Sequence, residues 1–309
     1  MKGILLINMG GPLSLEEMRL FLRNMFSDKM IIPLPMGLRQ FVANMIANKR
    51  HPSSWKKYQL IGGTPIIDHT SKAAVALEKA TGLPVRVGYS YTRPYIKEVI
   101  TQMKADGISD IKVITLYPQD SSTTTCSAIG DVGKAVKKLG GIHYSYLGEY
   151  ANRPKFLEYW STLIKEHLSQ YKNVKDPMLL FTAHSIPMYA VKKGDTYPET
   201  IKTMAANLAS LLNMRYTVGF QSRVGPVKWV GPDTDEHLEQ LVQKGERNIV
   251  IIPISFATEC LETIYDLETN LADNYVDDTR VDHISRVKIP PAHPLFIETL
   301  KQLVDESKN

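Results

Sequence analysis

The chain has 309 residues, of which 43% are hydrophobic and 22% charged, a composition typical of a globular protein with one large or two ordinary domains. Its formal net charge of +5 is too small to indicate nucleic-acid binding, although it suits an anionic ligand or an acidic membrane surface. The two cysteines, Cys126 and Cys260, match no disulfide or metal spacing, which favours a reducing compartment and argues against an iron–sulfur cluster. No apolar run is long enough to predict a transmembrane helix.

Short apolar runs alternate with helical patterns along the first part of the chain. The first strand, 3–9, ends at Gly10-Gly11-Pro12, where two glycines allow a sharp turn and a close approach to a ligand, and Ser14 is the expected N-cap of the next helix. The Gly-x-Gly-x-x-Gly spacing of a dinucleotide site is absent. Further strands are predicted at 85–89 and 111–116, and helices at 67–81, 95–106 and 127–139. This alternation indicates a parallel sheet with helices on both faces.

Residues 26–46 carry many large apolar side chains among prolines, without the pattern of a regular helix. Such a segment is either buried or forms an exposed apolar lip that contacts a flat ligand or a membrane. A basic cluster follows it directly, formed by Lys49, Arg50, His51, Lys56 and Lys57. The cluster is either an ordinary solvated surface or a rim that binds the carboxylates of an apolar ligand.

The strand–helix alternation restarts after residue 140. The predicted elements are strands at 142–147, 178–183, 216–220 and 248–254, and helices at 153–170, 199–212, 237–244, from about 258, and 295–306. We therefore predict two similar Rossmann-like domains, each a parallel sheet flanked by helices, at 1–140 and 141–290. The last segment, 291–309, is expected to pack back on the first domain, and the ligand crevice is expected at the strand ends.

His184 directly follows the buried run Leu179 to Ala183, and Pro187 ends the strand soon after it. A histidine at the carboxyl end of a parallel strand lies where open α/β sheets bind their ligands. The alternative is a histidine in the core or a loop whose nitrogens are satisfied by the backbone.

A second group of titratable residues follows the strand at 248–254. On a regular helix, Glu259, Glu262 and Asp266 stand at i, i+3 and i+7 and share one face, which is either a solvated acidic surface or part of the His184 crevice. An imidazole facing carboxylates suits proton transfer or the handling of a divalent metal ion. The Gly-x-Ser-x-Gly and Walker motifs are absent. A flat, apolar, carboxylate-bearing ligand that exchanges protons for a metal fits the combination of the apolar segment, the basic cluster, His184 and the acidic residues.

At this point the sequence resembles the ferrochelatases, which insert ferrous iron into a porphyrin in haem synthesis. The similarity runs nearly from end to end, and Leu179 to Pro187 with Gly194 to Tyr197 looks like the family signature. Further blocks similar to the family are Asn8 to Pro12, Ile61 to Pro65, Tyr117 to Gln119, Gln221 to Pro226, Trp229 to Pro232 and Leu261 to Tyr265.

The resemblance implies a chelatase-like fold and a set of site residues. His184 and Glu262 would be the catalytic pair and the metal contacts, with Glu259 and Asp266 as a path for protons or iron. The porphyrin-binding positions are Met9, Tyr91, Tyr117 and Trp229 along its faces and Arg50, Thr64 and Arg223 at its propionates. Met9 is more similar to the branch acting on protoporphyrin than to the coproporphyrin branch, which tends to carry tyrosine there.

The resemblance also sets expectations about cofactors and partners. Iron would be a substrate, no prosthetic group is expected, and the cysteine-rich extension of cluster-bearing relatives is missing. We expect a cytoplasmic monomer or weak dimer, with peripheral contact between residues 25–46 and the inner membrane. Cys260 and Asn270 depart from the family pattern, which often has histidine and an acid there. The alternatives are a coproporphyrin ferrochelatase, a chelatase for cobalt or nickel, and a porphyrin or haem carrier without turnover.

Overall fold

The computed structural model describes residues 1–171, 173–223 and 227–307. The chain forms two compact units, one from Met1 to Gly148 together with the segment from Pro291 onward, and one from Glu149 to Pro290. Val224, Gly225 and Pro226, which belong to one of the blocks that resemble the ferrochelatases, lie outside the described residues.

The first unit is built on a four-stranded parallel sheet. Its strands are β1 (Lys2–Asn8), β2 (Val85–Tyr89), β3 (Asp110–Thr115) and β4 (His143–Tyr146), in the order β2-β1-β3-β4. Strand β1 lies in the interior of the sheet, and its residues from Gly3 to Asn8 are all buried. This burial on both faces is the reason that its sequence is apolar without alternation.

The helices of this unit include, in chain order, α1 (Leu15–Phe26), α2 (Met36–Leu60), α3 (Pro65–Thr81), α4 (Ile96–Ala105) and α5 (Thr125–Leu139). The Ser14 side chain accepts a hydrogen bond from the Glu17 amide, so Ser14 is the N-cap of α1, as expected. One core cluster joins the buried residues of β1 and β3 to those of α4 and α5.

The second unit repeats the same strand order. Its strands are β5 (Met178–His184), β6 (Tyr216–Gln221), β7 (Asn248–Pro253) and β8 (His283–Arg286), all parallel, in the order β6-β5-β7-β8. Its helices are α6 (Pro154–Ser169), α7 (Met188–Lys192), α8 (Tyr197–Leu212) and α9 (Thr234–Gln243). A π-helical segment (Glu262–Thr269) and a 3-10 turn (Ala272–Tyr275) lie between β7 and β8. Two parallel sheets flanked by helices confirm the predicted fold class.

Several boundaries differ from the predicted ones. The division near residue 140 is wrong, because β4 pairs with β3 and therefore belongs to the first unit. The segment after residue 35 is not irregular, since α2 runs through it and includes Pro52. The strand at 248–254 is not the last, because β8 pairs with β7. The terminal helix α10 (Pro294–Glu306) packs against α3.

Candidate active site

The imidazole of His184 is held in a defined tautomer. His184 is the last residue of β5, half-buried, and pairs in register with Gln221 of β6. Its Nδ1 lies 2.7 Å from the carbonyl oxygen of Ser185. A carbonyl can only accept, so Nδ1 carries the proton, and the lone pair of the neutral ring is on Nε2. In the described part of the chain, Nε2 has no hydrogen-bond partner, so it is free to accept a proton or to bind a metal ion.

The backbone of His184 is fixed on both sides. Its amide donates to the Ser255 hydroxyl at 3.1 Å, and its carbonyl accepts from the Tyr197 hydroxyl at 3.0 Å. Burial raises the pKa of Tyr197, so its hydroxyl remains a donor at neutral pH. These contacts fix the strand end, while the Ser185 carbonyl orients the ring.

Glu262 begins the π-helical segment and is half-buried. The thiol of the buried Cys260 is hydrogen-bonded to Glu262. Burial raises the pKa of Cys260 well above its usual range, and the nearby Glu262 carboxylate raises it further. Cys260 is thus a protonated donor to Glu262 and not a thiolate.

Glu259 does not share a face with the other two carboxylates. The expected regular helix from about residue 258 is wrong, because the helical segment begins at Glu262 and is π-helical. Glu259 is 6% exposed, and its carboxylate accepts from Arg286 at 2.9 Å and from the Ile289 amide at 2.8 Å. Asp266 lies in the π-helical segment with Glu262 and is half-buried. No cluster of three or more metal-ligating side chains occurs among the described residues.

In the first unit, three predicted porphyrin-binding residues follow three neighbouring strands. Met9 comes directly after β1, and Tyr91 and Tyr117 come shortly after β2 and β3. The Tyr91 amide donates to the Met9 carbonyl at 3.2 Å, which ties the first two strand ends together. The sheet therefore places all three residues at the edge where parallel α/β sheets bind ligands.

Asp28 forms a hydrogen-bonded cluster that the sequence did not predict. Its carboxylate accepts from the Tyr91 hydroxyl at 2.9 Å, from the Ser127 hydroxyl, and from the Met30 amide at 2.8 Å. Burial, and then the Asp28 charge, raise the pKa of Tyr91 well above its usual range. The cluster connects the segment after α1 with the segment after β2 and with α5, and because these are far apart in sequence no local pattern predicts it.

Thr64 lies against the turn that follows β1. Its hydroxyl donates to the Pro12 carbonyl, and a Cβ atom added to Gly11 would lie 2.5 Å from the Thr64 methyl group. Glycine at position 11 is thus required by this close contact. The Thr64 hydroxyl proton is already donated within the protein, so Thr64 can only accept hydrogen bonds from a ligand through its oxygen.

The two predicted propionate-binding arginines have different surroundings. Arg50 is exposed on α2, and its guanidinium forms no ion pair with any described residue. Arg223 is paired with Asp233, with 3.0 Å between Nε and Oδ2. Trp229 is half-buried and forms an antiparallel bridge with Pro187, so the loop that carries it runs beside the segment after His184.

Helix α2 exposes the apolar residues that we assigned to a lip. Met36 and Phe41 are each 67% exposed, and Leu38 and Met45 are exposed as well, whereas Ala43 and Ala47 are buried. Hence an apolar surface stands beside the basic cluster, and both are on one helix. Among the described residues, no helix has the length and apolar character that crossing a membrane requires.

The chain matches a known protein family along nearly its whole length. The family model described as Ferrochelatase matches residues 1–308. The chain belongs to the ferrochelatase family. The ferrochelatase of Gloeothece citriformis is 36% identical over 318 residues, covering 99% of this chain and 82% of that protein. The ferrochelatase of Aquifex aeolicus is 34% identical, covering 98% of each.

Solved structures show the same fold at low sequence identity. SirB from Bacillus subtilis with Fe3+ has a TM-score of 0.58 and 13% identity, covering 99% of this chain and 96% of that one. CbiX, described as the terminal enzyme for biosynthesis of siroheme in denitrifying bacteria, has a TM-score of 0.52 and 12% identity, covering 99% of both chains. These similarities confirm the chelatase-like fold.

As a member of the ferrochelatase family, the protein is an enzyme that inserts Fe²⁺ into a porphyrin for haem synthesis. The family assignment favours an enzyme over the carrier without turnover. Within the second unit, the structure brings His184 together with the loop that carries Trp229. Within the first unit, it brings together Met9, Tyr91 and Tyr117.

Proposed function

We propose that this ferrochelatase acts on protoporphyrin IX and that His184 accepts the first pyrrole proton. The observation that carries the role of His184 is the hydrogen bond from its Nδ1 to the Ser185 carbonyl, which leaves Nε2 as an uncommitted base. The substrate assignment rests on Met9, which follows β1 and resembles the protoporphyrin branch of the family.

Metal insertion requires that two N–H protons leave the porphyrin as Fe²⁺ enters. In the proposed mechanism, binding bends the planar ring so that a pyrrole lone pair faces the metal. Nε2 of His184 takes one proton, and the Glu262 carboxylate takes the second or contacts Fe²⁺ during transfer. Asp266 lies on the same π-helical segment as Glu262 and passes the proton or iron outward. Glu259 stabilises this region through Arg286 and takes no direct part.

The remaining site residues hold the porphyrin. Met9, Tyr91, Tyr117 and Trp229 contact its apolar faces, and burial keeps the two phenols of the first unit protonated because it raises the pKa of both Tyr91 and Tyr117. Arg50 and Arg223 bind propionates, with Thr64 as an additional contact. The unpaired and exposed Arg50 is the stronger candidate of the two arginines, since Arg223 is already paired with Asp233.

Coproporphyrin is the second candidate substrate because of the charge on α2. Lys49, Arg50 and Lys56 are exposed on this helix, and the cluster offers more cationic groups than the two propionates of protoporphyrin require. A porphyrin with four propionates would use this excess.

A direct assay separates the candidates. The purified protein is mixed anaerobically with Fe²⁺ and either protoporphyrin IX or coproporphyrin III, and the loss of the free-porphyrin spectrum is followed. We expect faster turnover per bound porphyrin with protoporphyrin, and a loss of roughly 10²- to 10⁴-fold in the His184→Ala variant. Preferential turnover of coproporphyrin would overturn the substrate assignment, and near-normal turnover in His184→Ala would overturn the role of His184.

The proposal includes a cytoplasmic location with peripheral membrane contact. The exposed apolar face of α2 and its neighbouring cations match a lipid surface with anionic headgroups. Cosedimentation with vesicles of anionic lipid tests the contact, and replacement of Phe41 and Met45 by serine should reduce it.

We also propose that the protein holds no iron–sulfur cluster, because the chain has only two cysteines and such clusters are bound by several thiolates.

A further inference from the structure

Arg286 holds two carboxylates of different segments at once. It is the last residue of β8, and its side chain is 1% exposed. One terminal nitrogen donates to both oxygens of Glu259, at 2.9 and 3.1 Å. The other terminal nitrogen and Nε both donate to Oε2 of Glu268, at 2.5 and 3.1 Å. The planar guanidinium therefore binds Glu259 along one edge and Glu268 along another.

The two carboxylates lie near opposite ends of the π-helical segment Glu262–Thr269. Glu259 precedes the segment, and Glu268 is in its last turn. Thr263 strengthens the first end, because its hydroxyl donates to Glu259 and accepts from the Cys260 amide at 3.0 Å. Arg286 thus connects the beginning and the end of the segment to β8.

A π-helix needs such outside support more than an α-helix does. Its i→i+5 hydrogen bonds, seen here from the Asn270 amide to the Tyr265 carbonyl at 2.7 Å, are rare and usually occur as single turns. Relaxation of this segment to an α-helix would turn Asp266 relative to Glu262, since the rotation per residue differs. The direction of both carboxylates therefore depends on what keeps the segment π-helical.

We propose that Arg286 is a positioning residue that keeps residues 262–269 π-helical and thereby sets the directions of Glu262 and Asp266. Its consequence for catalysis rests on the proposed function of these carboxylates. Stability alone is a weak reason for this arrangement, because buried ion pairs add little stability over well-packed apolar side chains. A lysine would keep the charge but lacks the fork that reaches Glu259 and Glu268 together.

The mildest test is Glu268→Gln, which weakens only the outer contact of Arg286. Glu268 has a side chain that is 35% exposed, and the pair between Arg286 and Glu259 remains, so the variant should fold. Glu246→Gln is the matched control, because it breaks an exposed ion pair with Arg215 in the same unit. Arg286→Lys is the second test variant.

Two measurements are made on each full-length variant. Hydrogen exchange followed by mass spectrometry should show faster exchange confined to residues 262–270 in Glu268→Gln and Arg286→Lys, and no change there in Glu246→Gln. Iron insertion should lose about 10- to 100-fold in kcat/KM for Fe²⁺, as when supporting contacts of a metal site are removed, with the porphyrin KM unchanged.

Unchanged exchange at 262–270 would overturn the proposal, as would faster exchange spread over the whole unit. Faster local exchange with unchanged kinetics would overturn the positioning role. If the wild-type protein inserts no iron into either porphyrin, the proposed function fails, while the exchange data still decide whether Arg286 supports the π-helical segment.

Discussion

The two units share one topology but end their first strands differently. In β1 the last residue is Asn8, which is 3% exposed. Both polar atoms of its side chain form hydrogen bonds, since the nitrogen donates to the Thr70 hydroxyl at 2.9 Å and the oxygen accepts from the Met9 amide at 2.8 Å. In β5 the last residue is His184, whose Nε2 has no partner among the described residues. The same position of the same fold thus carries a structural amide in one unit and a free base in the other.

The surroundings of the two strand ends extend this difference. The first unit supplies protonated phenols, an apolar helix face and Arg50, whose guanidinium has no ion pair within the described ranges; such features suit ligand binding. The second unit buries titratable groups, including Glu259 with Arg286, Cys260 and His167. Under the proposed function, porphyrin-binding positions predominate in the first unit, and the proposed proton acceptor His184 belongs to the second. Fold alone does not decide which strand end is catalytic.

The largest expected effect comes from replacing each of the two strand-end residues, His184 and Asn8, by alanine in separate variants. His184→Ala should lower kcat by roughly 10²- to 10⁴-fold, the usual contribution of a general base, with porphyrin affinity nearly unchanged. Asn8→Ala should instead lower the free energy of unfolding by about 1–3 kcal/mol, because the Met9 amide and the buried Thr70 hydroxyl lose this partner, and should keep most of the turnover. Anaerobic rates, porphyrin fluorescence titration and urea denaturation measure the three quantities.

A larger loss of turnover in Asn8→Ala than in His184→Ala would reverse the comparison between the units. Circular dichroism of both variants at the assay temperature is the control for folding.

The second unit should also be the more sensitive to acid. Burial, and then the neighbouring His283, lower the pKa of His167 from 6.5 to about 4. Between these values the unfolded chain binds a proton that the folded chain does not, so stability is complete above pH 6.5 and falls as the pH drops toward 4. Urea midpoints measured from pH 7.5 to 4.5 should therefore decline.

His167→Gln should flatten that decline, because glutamine does not titrate. The exposed His143 of the first unit provides the matched control, and His143→Gln should leave the slope as it is in the wild type. An equal slope in His167→Gln and the wild type would show that His167 does not cause the acid sensitivity.

The two arginines offer a smaller test of the binding role. Arg50→Ala should weaken porphyrin binding by about tenfold, since a charge-assisted hydrogen bond contributes about 1.5–3 kcal/mol and an exposed one lies at the low end. Arg223→Ala should weaken it less, because Arg223 already pairs with Asp233. Porphyrin titration gives both values, and an effect of Arg50→Ala confined to kcat would contradict a propionate contact.

The smallest expected change concerns the Asp28 cluster. Tyr91→Phe removes the hydroxyl that donates to Asp28 and should lower the free energy of unfolding by about 1 kcal/mol, the net value of one hydrogen bond. Tyr144→Phe, at an exposed position of the same unit, is the control. If both variants lose the same stability, the hydroxyl of Tyr91 makes no particular contribution.

The strands β1, β5 and β7 could be predicted from sequence because burial on both faces leaves continuous apolar runs. Strand β8 could not, because it is short and begins with a histidine. Helix α2 was missed for a different reason. Its exposed face is apolar and it contains Pro52, so the alternation of polar and apolar residues that predicts a helix is absent.

The site was predictable where it follows from strand ends and not where it depends on distant contacts. His184 stands at the end of a strand that the sequence itself reveals. Ser255, Asp28 and Arg286 each have a partner more than 25 residues away, and no spacing in the sequence predicts these contacts. The π-helical conformation of 262–269 also has no simple sequence pattern, and this is why Glu259 was placed on the wrong face.

The protonation state of the buried Cys260 thiol next to Glu262 determines whether its sulfur would retain Fe²⁺. A thiolate is a soft and strong ligand that would retain Fe²⁺ and compete with the porphyrin for it. Burial raises the pKa of Cys260 well above its usual range, so the sulfur stays protonated and binds the passing ion poorly. For the same reason it reacts slowly with peroxides, which ferrous iron generates in air. If Glu262 contacts Fe²⁺ as proposed, a protonated Cys260 beside it would not retain the ion and would resist oxidation.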